Sequence, residues 1–175
     1  KLIKPHDILN IFGENPLEYS HCHDLLKYMK HKKIVTKIWM NQWIKDFNQD
    51  DLNYLVDELV IWCPAIIRDD FNLVSGRDFF DDYKTVVSRL KINKTLSFTV
   101  RPMSIEDLPE FYDIVIDTQS KGLILFVKSE FSKEELNFIK RFKRVKHMQI
   151  MEINNFESYS CQSIPNTIGT LKFEY

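Results

Sequence analysis

The chain contains little glycine and no glycine-rich phosphate loop. Four glycines occur in 175 residues, and neither G-x-G-x-x-G nor G-x-x-x-x-G-K-[ST] is present. Three cysteines, odd in number and far apart, argue against a disulfide framework and favour reduced thiols in an intracellular compartment. No signal peptide is visible, and no apolar run is long enough to cross a bilayer. These absences predict an intracellular protein, cytoplasmic or nuclear, that does not act at a membrane.

Motifs for catalysis or metal binding are also missing. His21, Cys22 and His23 are too close in sequence to converge on one metal, and no second ligand cluster is spaced to complete a tetrahedron. The acidic residues between positions 69 and 82 surround a turn and a helix start, where the helix dipole already favours Asp. We therefore predict a protein that is not an enzyme and that uses neither a cofactor nor a metal.

The composition that is present is that of a folded domain. The chain is 44% hydrophobic and 28% charged, which is too apolar for a disordered protein. Its net charge of −1 argues against a dedicated nucleic-acid binder, although basic residues cluster at 27–37 and at 140–146. The chain begins at Lys1 without Met and ends within a strand-like run, which predicts a piece of a longer protein.

The first ninety residues show apolar positions at helical spacing. These patterns predict helices around Ile8–Phe12, Leu25–Met29, Ile34–Phe47, Leu52–Val60 and Asp78–Leu90. Residues 1–90 are therefore predicted to form a helical N-terminal module. The remaining residues, 91–175, show a different pattern, and we place the boundary between the two regions near residue 90.

Residues 91–175 alternate between strand and helix patterns. Strands are predicted at Thr95–Val100, Leu123–Val127, His147–Ile153 and Leu171–Tyr175, with a β-rich stretch at Phe111–Asp117. A capping box of Ser132 and Glu135 predicts a helix over Lys133–Phe142. Leu125, Ile150 and Phe173 recur at intervals of 25 and 23 residues, a period typical of leucine-rich-repeat-like solenoids.

The stretch from Phe111 to Val127 allows two interpretations. It forms either a hairpin closed by Lys121-Gly122, as in a compact α+β domain, or an irregular first repeat of a solenoid. We favour the second. The predicted fold class is thus α+β or α/β, with a helical N-terminal module followed by the start of a leucine-rich-repeat-like α/β region that is truncated at its C-terminus.

Two segments resemble known families. Ile164-Pro165-Asn166-Thr167-Ile168 followed by Leu171-Lys172-Phe173 resembles the FNIP repeat, a relative of the leucine-rich repeat. Lys4-Pro5-His6-Asp7-Ile8-Leu9-Asn10-Ile11-Phe12 is similar to the start of an F-box, although Lys4 replaces the usual leucine. The F-box resemblance implies that a Skp-type adaptor of cullin ubiquitin ligases binds the first helix through Pro5, Ile8, Leu9 and Phe12.

These observations predict a non-catalytic scaffold for protein recognition, namely a substrate-receptor or assembly subunit that binds a Skp-type adaptor. The alternative is a nucleic-acid-associated α/β domain that uses the basic segment 140–147. In that alternative an anionic partner would contact the cationic side chains of Lys140, Arg141, Lys143, Arg144 and Lys146.

Overall fold

The chain folds as an α/β protein in which strands and helices alternate. The computed structural model describes residues 4–5, 7–13, 16–40, 49–76, 78–153 and 169–172. The strands are β1 Ile8–Phe12, β2 Val35–Met40, β3 Glu58–Cys63, β4 Lys94–Thr99, β5 Lys121–Phe126, β6 Met148–Glu152 and β7 Gly169–Lys172. The α-helices are α1 Cys22–His31, α2 Gln49–Leu55, α3 Arg68–Ser75, α4 Phe80–Arg89, α5 Leu108–Asp117 and α6 Lys133–Arg141. Such alternation is typical of α/β folds built on parallel strands.

The chain divides into two compact units. The first comprises Lys1–Ile61, Leu90–Lys94 and Ile164–Tyr175, and the second comprises Trp62–Arg89 and Thr95–Ser163. Strands of the first unit follow the order β7-β1-β2-β3, and those of the second follow β4-β5-β6. Every one of these neighbouring pairs is parallel. Within each unit, strands that follow one another in the chain also lie side by side in the sheet, as in (β/α)8 barrels. The exception is β7, which pairs with β1. The predicted boundary near residue 90 stays a prediction.

Each unit has an apolar core between its strands and helices. In the first unit Leu9, Ile11 and Ile38 are at most 2% exposed. In the second unit Phe98 of β4 packs against Phe111 of α5, with ring centroids 5.2 Å apart. None of the helices in the described ranges is long and apolar enough to cross a membrane.

The prediction that residues 1–90 form a helical module is wrong. The described parts of the predicted helices at Ile8–Phe12 and Ile34–Phe47 contain β1 and β2, and the helix predicted at Leu52–Val60 ends at Leu55 before β3 begins at Glu58. Strands of a parallel sheet that are buried on both faces form short, nearly continuous apolar runs, which periodicity does not distinguish from buried helices. The predictions of α1 and α4 are confirmed.

The prediction of a leucine-rich-repeat-like solenoid is wrong as well. A solenoid places the strand near residue 171 beside β6, whereas β7 pairs with β1, where Leu171 lies opposite Ile11. The stretch predicted as β-rich is helix α5, so the alternative hairpin between Phe111 and Val127 is also wrong. Pro109 in the first turn and buried Leu108, Phe111 and Val115 at helical spacing outweigh the β-branched composition. Residues 164–168 and 173 of the FNIP-like segment lie outside the described residues.

The start of α6 confirms the predicted capping box. Ser132 Oγ accepts a hydrogen bond from the backbone N–H of Glu135 at 3.2 Å, and Glu135 Oε2 accepts one from the backbone N–H of Ser132 at 2.7 Å. These bonds satisfy backbone donors that have no partner within the helix. The hydrogen bond from the backbone N–H of Ser132, with a further one from its side chain, favours the charged form of the Glu135 carboxyl and so lowers the pKa of that group.

We expect Ser132→Ala to lower the free energy of unfolding by about 1 kcal/mol, because the substitution leaves a helix N–H without its acceptor. Urea titration followed by far-UV circular dichroism measures the change. Ser129→Ala is the matched control, since Ser129 is exposed in the preceding 3₁₀ helix. Equal losses of unfolding free energy in the two variants would show that the Ser132 cap contributes nothing to stability.

Candidate functional site

The strands of the first unit present one face that carries polar and aromatic side chains. Its members, called the polar face below, are Asn10, Phe12, Lys37, Trp39 and Glu58. Strand register places them side by side, since Asn10 pairs with Lys37 and Lys37 pairs with Glu58. Residues at alternate positions point to opposite sides of a sheet. The other side carries Leu9, Ile11, Thr36 and Ile38, and the Thr36 hydroxyl donates to the carbonyl of Leu55 in α2 at 3.2 Å.

Trp39 is held in a single orientation by its neighbours. Its indole Nε1 donates to Asn10 Oδ1 at 2.9 Å in a buried hydrogen bond. The Phe12 ring stacks on it with centroids 5.2 Å apart and an interplanar angle of 16°. Lys37 Nζ lies 5.4 Å from the Trp39 ring centroid, within the range of a cation–π contact. Phe12 and Trp39 are each 6% exposed, so together they form a buried apolar surface, called the floor below. The one polar group in it, the indole N–H, is hydrogen-bonded to Asn10.

An ion pair lies beside this floor. Lys37 Nζ is 3.2 Å from Glu58 Oε1, and the two side chains are 24% and 23% exposed. Because both side chains are only partly buried, they lose part of their hydration but stay in contact with solvent. Ligand atoms can therefore still reach the Glu58 carboxylate. The polar face therefore offers a carboxylate, an ammonium group and two aromatic rings within one small area.

The strand direction places the aromatic residues where ligands bind in this class of fold. Phe12 is the last residue of β1, and Trp39 is the penultimate residue of β2. In parallel α/β folds, ligands bind at the carboxyl ends of the strands, whereas the amino ends serve stability. The aromatic end of the polar face thus lies at the carboxyl ends of the strands.

The described thiols do not supply a nucleophile. Burial raises the pKa of Cys22 to about 11 and that of Cys63 to about 12, although a hydrogen bond with Tyr83 opposes the second shift. The thiolate is the reactive and metal-binding form, and it is scarce at neutral pH when the pKa is this high. Cys161 lies outside the described residues.

No metal centre is formed by the residues that the structure describes. Within those ranges, no three or more His, Cys, Asp or Glu side chains come together in a way that could hold an ion. His21 and His23 are exposed, while Cys22 between them is buried at the start of α1. The three side chains therefore point in different directions.

The residues predicted to bind an adaptor lie on or before a strand. Ile8 is 43% exposed, but Leu9 and Phe12 are only 2% and 6% exposed. Pro5 lies in the turn before β1 and is exposed. Two of the four side chains thus belong to the packed interior of the first unit, and no helix presents the set.

The predicted basic segment lies at the end of α6 and in the turn that follows. All five of its cationic side chains are exposed, namely those of Lys140, Arg141, Lys143, Arg144 and Lys146. The residues Phe142–Arg144 form a 3₁₀ turn. The contact of this segment with an anionic partner stays a prediction.

The sequence does not predict the polar face, because the apolar runs that contain its members are predicted to be helices. Of the five residues, Phe12 alone belongs to a predicted site, the adaptor-binding set. One usable signal was present. Asn10 is an isolated polar residue inside a short apolar run, and a buried polar residue of this kind requires a partner or a function.

The fold is similar to that of SuiB from Streptococcus suis. The chain matches the structure of SuiB with a TM-score of 0.64 and 15% identity over 83% of this chain and 39% of SuiB. SuiB bound to S-adenosylmethionine matches with the same TM-score, 16% identity and the same coverage. SuiB bound to the precursor peptide SuiA matches at 0.64 and 14% identity over 83% of this chain and 38% of that one. No protein-family model and no curated protein sequence matches the chain.

These matches correct the remaining predictions about family and function. The leucine-rich-repeat, FNIP and F-box resemblances are wrong, because the matched structures share a parallel α/β fold with this chain. The prediction of a non-enzymatic recognition scaffold depended on those resemblances and is wrong with them, since the fold is similar to that of SuiB, which has been solved with S-adenosylmethionine and with a precursor peptide. The nucleic-acid alternative is not favoured by any of the matches. The chain, which spans about two fifths of the length of SuiB, shares its fold.

Proposed function

We propose that this chain is part of an enzyme that binds S-adenosylmethionine and acts on a peptide, with the polar face contributing to the ligand site. The observation that carries the proposal is the similarity of fold to SuiB, which has been solved with S-adenosylmethionine and with its precursor peptide. The location of Phe12 and Trp39 at the carboxyl ends of their strands supports it, because ligands of parallel α/β folds bind there.

The polar face fits the chemistry of S-adenosylmethionine. The ligand combines a positively charged sulfonium, a purine and a ribose with two hydroxyls, and its activated bonds are those to sulfur. A carboxylate such as Glu58 attracts the sulfonium and accepts hydrogen bonds from hydroxyls. Phe12 and Trp39 stack on each other and Lys37 lies over the indole, so the two rings supply an apolar wall beside the ligand and not a stacking surface for the purine. All of these groups lie on one face of β1, β2 and β3.

Each residue has a separate role in this proposal. Phe12 and Trp39 exclude water from one side of the ligand, which strengthens the electrostatic contacts made there. Asn10 fixes the indole through the 2.9 Å hydrogen bond, so the floor is formed before the ligand arrives. Lys37 orients the Glu58 carboxylate through the 3.2 Å ion pair. The described residues offer no thiolate nucleophile, so the proposed roles are binding and orientation.

The test is a titration of the ¹⁵N-labelled chain with S-adenosylmethionine, followed through the indole N–H signals. The chain has three tryptophans, and Trp39→Phe assigns the signal of interest. We expect a saturable shift of the Trp39 signal. Glu58→Gln should weaken binding about tenfold, since it removes one charge contact worth about 1.4 kcal/mol.

Glu134→Gln is the control for this titration, because Glu134 is an exposed residue of α6 in the second unit. It should leave the affinity unchanged. The proposal is wrong if the Trp39 signal does not move at millimolar ligand while the chain remains folded. It is also wrong if both glutamine variants weaken binding equally, because that result would indicate non-specific attraction of a cation.

A further inference from the structure

A second surface of the first unit combines lysines with exposed tyrosines. It comprises Lys27, Tyr28, Lys30, Lys32 and Lys33 from α1 and the turn after it, together with Tyr54 from α2, and is called the lysine–tyrosine surface below. Tyr28 is 55% exposed and Tyr54 is 70% exposed. Large aromatic side chains that remain this exposed are enriched at interaction sites, since each offers apolar area and a hydroxyl.

Each of these tyrosine rings has a lysine beside it. Lys32 Nζ lies 5.6 Å from the centroid of Tyr28, and Lys30 Nζ lies 6.0 Å from that of Tyr54. Lys30 is also held by Asp57, whose Oδ1 is 3.3 Å from Nζ. Lys27, Lys32 and Lys33 have no ion-pair partner within the described part of the chain. The surface therefore carries three exposed lysines without an ion-pair partner among the described residues, and one of them, Lys32, lies beside a tyrosine ring.

We propose that the lysine–tyrosine surface binds an acidic peptide segment. Uncompensated ammonium groups select carboxylates by charge, and exposed tyrosines supply rigid contact area and hydroxyl donors. The proposal deepens the proposed function, on whose peptide substrate it rests, by assigning a location and a charge to the peptide-binding surface.

Two observations favour a peptide over a single-stranded nucleic acid. Base stacking needs open ring faces, whereas lysine ammonium groups already lie over Tyr28 and Tyr54. The second observation concerns charge, because the attraction of a nucleic acid depends on the net positive charge on and around the lysine–tyrosine surface. The chain as a whole has a net charge of −1, and Asp57 neutralises Lys30 within the surface.

The experiment measures fluorescence anisotropy of a labelled twelve-residue peptide of alternating glutamate and glycine, without S-adenosylmethionine. Omitting that ligand lets peptide binding fail or succeed independently of the cofactor part of the proposed function. The test variant is the triple substitution Lys27→Gln, Lys32→Gln and Lys33→Gln. The matched control is Lys121→Gln, Lys128→Gln and Lys133→Gln, which removes the same charge from exposed lysines of the second unit.

We expect the test variant to weaken peptide binding at least about tenfold and the control to change it less than about twofold. Tyr28→Leu with Tyr54→Leu should weaken it about threefold or more at unchanged charge. Equal weakening by the two triple variants overturns the proposal, because attraction would then follow net charge alone. Tighter binding of a labelled twelve-nucleotide thymidine strand than of the peptide also overturns it.

Discussion

Replacing Phe71 with alanine lowers the free energy of unfolding by about 4 kcal/mol, the largest loss that we expect from a single truncation in α3. Phe71 is 0% exposed. Its ring lies 5.2 Å from that of Phe79, 5.3 Å from that of Phe80 and 5.0 Å from that of Tyr83, measured between centroids. The aromatic cluster thus joins α3 to α4, and alanine leaves a cavity that three rigid rings cannot fill.

Urea unfolding measured by far-UV circular dichroism tests this expectation. Leu73→Ala is the control from the same helix, because Leu73 is 80% exposed and its truncation should cost less than about 0.5 kcal/mol. Both variants remove an apolar side chain from α3, so a difference between them reports packing and not helix propensity. A loss below about 1 kcal/mol for Phe71→Ala would contradict the assignment of Phe71 as the centre of this cluster.

Local signals in the sequence were sufficient where one short segment determines the structure. The capping box of Ser132 and Glu135 predicts the start of α6, because both hydrogen bonds lie within four residues. The pattern around Leu26 and Met29 predicts α1, since the buried positions of an amphipathic surface helix repeat every three to four residues. The residues of these two helices are therefore sufficient to predict them without knowledge of the rest of the fold.

The first strands could not be predicted in this way, because their environment determines their structure. The run Val35–Met40 places apolar residues at positions that suit either a buried strand or a helix. Its strand conformation depends on pairing with β1 and β3 on either side. Likewise, the 25-residue spacing of Leu125 and Ile150 is the length of one strand–helix unit, and both solenoids and parallel α/β folds contain such units.

The polar face was missed for the same physical reason. Asn10, Lys37 and Glu58 are separated by more than twenty residues from one another in the chain, and they become neighbours through strand register. A shift of one residue in any strand would send its side chains to the opposite side of the sheet. A site of this type therefore requires knowledge of strand order and register, which a local pattern does not contain.

Replacing Gly122 with alanine gives the second large expected effect, about 1–2 kcal/mol of lost stability, because the end of the buried Met148 side chain has to move aside for the new methyl group. Gly122 lies in β5 directly opposite Met148 of β6. A Cβ at this position would overlap with Met148 Sδ and would lie 2.9 Å from Met148 Cε and 3.1 Å from Val115 Cγ2 of α5. The glycine leaves space on this face of β5 for the Met148 side chain and for Val115 of α5, so it serves side-chain packing and not an unusual backbone angle.

A double-mutant cycle separates this overlap from the general cost of altering a core strand. Met148→Ala alone should cost about 3 kcal/mol, since Met148 is 6% exposed and its removal leaves a cavity. In the double variant the new methyl group occupies part of that cavity, so the combined cost should fall below the sum by about 1–2 kcal/mol. Urea titrations of the four proteins give the coupling. Strictly additive losses would mean that the alanine methyl group is accommodated without displacing the Met148 side chain.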